Sequence, residues 1–266
     1  MGQIFTVLQA LFSDVGFLTF CIILLALLVN AVVRVTERRP MRHIPALDRI
    51  PRLLGASIES SRPLHVSLGS ATVGDETTLL ALLGSEFIYE ITRDVAVGDA
   101  APIFTVSEGA VLPLAVDTLR RAYEHENRSA AFNSFLPLSV LPMSNRWYPA
   151  GRRSLAFAAA LMTMQADDQL SGNVLVGRYG LELGLILDAA HRRDVPTIAT
   201  SDQLDGQAIA YALADEALIG EEVFAVASYA NDDPNLQRRT FAIDLMRGLV
   251  VMTIIVLVLY NLTAGG

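Results

Sequence analysis

Lysine is missing altogether: every one of the 20 basic residues is an arginine. That removes a phosphate-loop lysine, a Schiff-base amine and a kinase-type strand lysine from consideration. Cysteine is nearly missing as well. The single one, Cys21, falls inside an uncharged apolar run, which excludes an intrachain disulfide, a cysteine metal cluster and a thiol nucleophile in the polar part of the chain. The histidines, His43, His65, His125 and His191, have no metal-ligand spacing, and His65 reads as a satisfied strand residue. Neither a G-x-S-x-G nucleophile elbow nor a G-x-G-x-x-G dinucleotide fingerprint occurs. A net charge of −8 offers no basic face to nucleic acid or to anionic lipid, so no nucleic-acid partner is expected.

Two charge-free apolar runs stand out. Residues 17–33 read FLTFCIILLALLVNAVV, and residues 248–264 read GLVVMTIIVLVLYNLTA. Each is close to the roughly 17–25 residues a spanning helix needs, and insertion of such Leu, Ile, Val and Phe content is favoured by several kcal/mol. The first lacks the basic leader and small-residue cleavage site of a signal peptide. Arginines crowd one flank of each run: Arg34, Arg38, Arg39, Arg42, Arg49 and Arg52 after the first, Arg238, Arg239 and Arg247 before the second. The outer ends have none. The positive-inside rule then places 34–247 in the cytoplasm and both termini outside, in a bacterial inner membrane given the arginine-only basic composition.

Five segments follow. Residues 1–14 form an amphipathic N-terminal piece, 15–33 a first transmembrane helix and 34–63 a basic linker with a short helix near 46–54. An α/β domain fills 64–234, and a helix over 235–264 runs into the second span. Within the domain, short apolar strands are expected at 64–68, 102–106, 138–141, 173–176, 197–200 and 217–219. Helical stretches alternate with them, the last at 221–229. That alternation predicts a mostly parallel, Rossmann-like three-layer sheet, its strands apolar throughout because helices cover both faces.

In such a sheet ligands bind beyond the C-terminal strand ends, over helix N-termini. Four loops rich in small and hydroxyl residues lie there. They nominate Gly69, Ser70, Thr72, Gly74, Ser107, Glu108, Arg178, Tyr179, Ser201 and Asp202 as the lining of a small-ligand crevice, with Arg178 as an anion clamp. The G-x4-G spacing of Gly69 and Gly74 mimics a phosphate loop. Asp75 and Glu76 stand where Lys and Ser/Thr belong, so nucleotide hydrolysis by that route is rejected. The same residue types also serve plain helix caps and βα turns. No catalytic set, metal site or cofactor is expected.

The run VSLGSATVGDETTLLALLGSEFIYEITRDVAVGD, with RWYPAGRRSLAFAAAL and TSDQLDGQAIAYALADEALIGEE, resembles an uncharacterised bacterial membrane-protein family, a domain of unknown function. The resemblance covers roughly 60–230 and implies no activity. Two functions are expected to compete. One is a membrane-anchored scaffold or assembly module whose partners are the bilayer, copies of itself or other membrane subunits, using the apolar surface of helices at 79–89 and 154–164. The other is a sensor or binding domain for a small anionic ligand such as a nucleotide or sugar phosphate.

Overall fold

The computed structural model describes residues 44–133, 140–142, 153–167, 169–220, 222, 248 and 250–251. The amphipathic segment 1–14, the run 15–33 and most of 235–264 lie outside the described residues, as does the helix expected at 221–229 apart from Glu222, which is helical. Among the described residues no helix is long and apolar enough to cross a membrane. A compact body, His43–Asn231, is separate by its internal contacts from the rest of the chain.

The body is an α/β sheet domain. Its strands are β1 (Leu64–Gly69), β2 (Ile103–Val106), β3 (Val140–Pro142), β4 (Gly172–Arg178), β5 (Thr197–Ser201) and β6 (Glu216–Leu218). They form one six-stranded sheet in the order β3-β2-β1-β4-β5-β6, and every pairing is parallel. This is the strand order of doubly wound dinucleotide folds, with the reversal of direction between β1 and β4. The helices are α1 (Pro45–Ser60), α2 (Thr78–Val95), α3 (Leu112–His125), α4 (Arg153–Asp167), α5 (Leu183–His191) and α6 (Leu204–Leu213).

Alternation along the strands sends successive side chains to opposite faces. Even-numbered positions of β1, β2 and β4, among them Leu64, Val66, Leu68, Phe104, Val174 and Val176, join Ile198 and the buried sides of α1, α2 and α3 in one core. Leu175 and Ala199 face the other way and pack with Phe157, Leu161, Ile186 and Ala210 from α4, α5 and α6. Each fully buried side chain of this size contributes roughly 1.5–3 kcal/mol.

Two expectations need correction. The stretch expected as a linker is a full helix, α1, with Pro45 in its first turn and Ser61 closing its C-terminus in the left-handed conformation at φ 51°. It buries Ala46, Leu53 and Leu54, so the α/β body begins near residue 44 and not at 64. The strands, moreover, are not apolar on both faces. On the α4–α6 side, His65, Ser67, Thr105, Asn173, Thr197 and Ser201 alternate with or stand beside Leu175 and Ala199, and all are buried.

Burial of so many polar groups is sustained by partners. Thr105 Oγ1 lies 2.8 Å from His65 Nε2, and His65 Nδ1 lies 2.9 Å from Asn173 Oδ1. Asn173 Nδ2 donates to Thr197 Oγ1 at 3.1 Å, which donates to the Val195 carbonyl at 3.1 Å. The chain of bonds has one consistent direction. Asn173 Oδ1 can only accept, so His65 carries its proton on Nδ1, and Nε2 accepts from the Thr105 hydroxyl. Burial pushes the His65 pKa down to about 4, against the raising effect of the Asn173 bond, so the ring is neutral. His65 is thus the satisfied strand residue that its position suggests.

Candidate functional site

The strand order reverses between β1 and β4, the place where open α/β sheets form a ligand crevice, and the loop from β1 to α2 lies at that end of the sheet. That loop begins at Gly69, which takes φ 58°. A Cβ there would sit 2.4 Å from the Arg178 carbonyl oxygen and 2.8 Å from the Tyr179 ring, so both conformation and space demand glycine. Gly69 accepts the Ser107 N–H at 2.9 Å, and the Ser70 N–H and hydroxyl each lie 3.0 Å from the Arg178 carbonyl. The loops after β1, β2 and β4 are therefore bonded to one another.

A phosphate-binding loop needs free backbone N–H groups. Here most are already used. Ala71 N–H donates to Leu68 O, Thr72 N–H to Thr77 Oγ1, Gly74 N–H to Thr78 Oγ1 and Thr77 N–H to Asp75 Oδ1. The Asp75 carboxylate, 2.6 Å from both the Thr77 hydroxyl and the Thr77 N–H, stands where an anion would be cradled. The Thr77 hydroxyl, then the Thr77 N–H, hold the exposed Asp75 carboxyl below the ordinary carboxylate range.

Arg178 is placed at the crevice but is not an open anion clamp. Its Nε donates to Asp202 Oδ2 at 3.0 Å and its Nη1 to Glu76 Oε1 at 2.7 Å. One guanidinium faces two carboxylates, so the local charge is negative and a phosphate meets repulsion. Tyr179 does not line open space either: its ring is buried with the α4–α6 core, and burial keeps its hydroxyl protonated. Ser201 is also enclosed. Its hydroxyl donates to Tyr179 O at 2.6 Å and accepts from Tyr179 N–H at 3.1 Å and Gln203 N–H at 3.0 Å. Ser107 is buried beneath the same loops, while Thr72, Gly74, Glu108 and Asp202 stay at or near the surface.

The structure thus brings together Gly69, Ser70, Arg178, Tyr179, Ser201 and Asp202, as a set of bonds between loops. Five participants escaped the candidate list drawn from the sequence. Thr77 and Thr78 satisfy the loop N–H groups, and the signal was available in the repeated hydroxyls after Asp75. Gly177 and Gly206 allow close approach, since a Cβ would lie 1.9 Å from Leu68 O and 2.1 Å from Tyr179 O respectively. Glu76 supplies the second partner of Arg178. Among the described residues, no group of three His, Cys, Asp or Glu side chains is placed to hold a metal ion. Among the described residues His65 is the one buried imidazole, and it spends both nitrogens on Thr105 and Asn173.

A family model described as a domain of unknown function, DUF6754, matches residues 2–265. The chain belongs to that family, and the match extends well beyond the residues that carry the sequence resemblance. No curated protein and no solved structure matches it.

Proposed function

We propose that this member of the DUF6754 family is a membrane-anchored α/β module with a structural or assembly role, and that it associates with copies of itself. Its two apolar runs, 17–33 and 248–264, anchor it in a bacterial inner membrane, with the body on the cytoplasmic side and both termini outside. The arginine asymmetry around the runs supports that arrangement.

One observation carries the assembly role. The crevice that this strand order makes available is occupied by the chain's own groups, while large apolar side chains remain uncovered elsewhere. Leu181 is 72%, Leu204 84% and Tyr211 80% exposed, all on or beside α5 and α6. Helix α6, LDGQAIAYAL, is apolar nearly all round, a pattern usual for a helix covered on all sides. Leu79 and Leu82 on α2 and Leu155 on α4 add to the uncovered surface, on the same helices whose composition suggested a surplus.

The competing role, sensing a small anion, meets two obstacles: the loop N–H groups are engaged and Arg178 is shared between Glu76 and Asp202. Light scattering on the full chain in mild detergent tests the assembly role. An oligomer is expected, reduced to a smaller species by Leu204→Asp with Tyr211→Asp. A monomeric wild-type chain would refute self-association.

A further inference from the structure

Helix α6 turns one stripe outward. Leu204, Ala208, Tyr211 and Ala212 are exposed at the spacings i, i+4, i+7 and i+8, which share one face of a helix. The opposite side is fixed to the body, with Gly206 and Ala210 buried. Helix α5 widens the surface. Its Gly184 backs onto Ile209, since a Cβ there would lie 3.7 Å from Ile209 Cγ2, and Leu181 and Leu185 stand exposed at its N-terminal end. Together these side chains supply much of the roughly 800 Å² that each partner of a standard interface covers. The other helix layer differs: α3 carries ion pairs among Asp117, Arg120, Arg121 and Glu124 on its outer side.

The charges around the stripe narrow down what covers it. Docking on anionic lipid calls for lysine or arginine beside the apolar side chains. Neither occurs from 179 to 190 or from 194 to 237, whereas Glu182, Asp202 and Asp205 stand at the N-terminal ends of α5 and α6. The stripe suits a second copy of itself. It has a bulky end at Leu204, a small middle at Ala208, and then bulky Tyr211 beside small Ala212. Between residues 204 and 214 the one charge is Asp205. Its Oδ1 accepts the Gly206 N–H at 3.0 Å, and a carboxylate has room for further donors.

We propose that two copies stack through α6 as an antiparallel pair about a two-fold axis at Ala208. Alanine at that point lets the helix axes approach to about 8 Å. Leu204 of each copy packs over the partner's Ala212, and Leu181 over the partner's Leu185. The Tyr211 hydroxyl donates to the carboxylate of the partner's Asp205. A parallel pair would instead set Leu204 on Leu204 and Asp205 on Asp205, bulk on bulk and charge on like charge. This arrangement rests on the self-association proposed above, and adds to it a face, a direction and a central residue.

Disulfide trapping tests the arrangement on the full chain in mild detergent, with Cys21, the only cysteine, replaced by serine. Facing Cα atoms on such an axis come within the roughly 4.4–6.8 Å that a disulfide spans. Under mild oxidation Ala208→Cys is expected to give a disulfide-linked dimer in high yield. Leu204→Cys alone, and the control Glu124→Cys on α3, are expected to give little. Leu204→Cys combined with Ala212→Cys is expected to give the dimer again. Tyr211→Phe is expected to weaken dimerisation in sedimentation equilibrium by at least about tenfold, because a hydrogen bond to a charged group is lost twice per dimer. Four results would each overturn the arrangement and leave self-association standing: an oligomer by light scattering that Ala208→Cys does not trap, trapping through Leu204→Cys alone, trapping through Glu124→Cys as strong as through Ala208→Cys, or unchanged association of Tyr211→Phe. A monomeric chain would overturn both.

Discussion

Acidification should destabilise the body through one residue, His65. The ring is completely buried, and its pKa falls from 6.5 to about 4 on folding. Between those values the unfolded chain holds a proton that the folded chain does not. Stability is therefore complete above the unfolded pKa and declines as pH falls toward the folded one. Linkage gives a loss of about 2 kcal/mol by roughly pH 5 and about 3 kcal/mol by roughly pH 4. For a body of this size about 2 kcal/mol corresponds to a fall in Tm of roughly 4–8 °C.

The bond directions explain why the proton is so unwelcome. A protonated ring would present an N–H to Thr105 Oγ1, and that hydroxyl now donates its own proton to Nε2. Thermal unfolding of the full chain, followed by circular dichroism from pH 7.5 to 4.5, gives the comparison with His65→Gln. The variant is expected to be less stable at neutral pH by about 1–3 kcal/mol, because Thr105 and Asn173 lose a partner. The gap should then narrow as pH falls, since titration of every other group cancels in the difference. A gap that stays constant down to pH 4.5, or an NMR titration of His65 near its ordinary value, would refute the reasoning.

Other substitutions probe the remaining features. Gly177→Ala should cost about 3 kcal/mol or abolish folding, since its Cβ would lie 1.9 Å from Leu68 O; soluble yield and Tm measure this. Thr77→Val should cost about 1–2 kcal/mol by removing the hydroxyl that holds Asp75 and accepts from Thr72 N–H, as read from urea midpoints. Arg178→Ala should lower stability by no more than about 1 kcal/mol, because its ion pairs are partly exposed. It should also leave any response to inorganic phosphate or nucleotides unaltered in a thermal-shift screen. Gly55→Ala should raise Tm, by the equivalent of about 0.5–1 kcal/mol, because Gly55 sits inside α1 and an added Cβ meets nothing within 4 Å.

Much of the sheet was legible because its residues obey one dominant constraint. Runs such as LHVSL and PIFTV, bounded by proline and glycine, place β1 and β2 within a residue or two of where they occur. The unequal faces were harder. Ser67, Thr105 and Asn173 look like tolerated interruptions of apolar runs, and only the register shows that His65, Thr105, Asn173 and Thr197 meet in adjacent strands. Helix α1 was understated for a similar reason: Pro51 and the arginines signal a linker, while the burial of Leu53 and Leu54 against the sheet outweighs them. At the strand ends the loops and their small residues were readable. The fate of Arg178 was not, because its partners lie 24 positions later and 102 positions earlier.

The glycines at the switch point show how a ligand-binding topology can be closed. In dinucleotide folds a glycine after the first strand lets backbone approach a pyrophosphate. Gly69 occupies that place and permits equally close approach, but what approaches is the Arg178 carbonyl and the Tyr179 ring. Gly177 brings β4 against Leu68, and Gly206 brings α6 against the Tyr179 carbonyl. Each contact draws the loops of β1, β4 and β5 together, and Asp75 with Thr77 then satisfies the donors that an anion would have needed. The strand order alone would suggest a nucleotide. The close contacts it permits have instead been turned inward, and that is why the self-association proposed above is sought on the helix layers, at the uncovered side of α6.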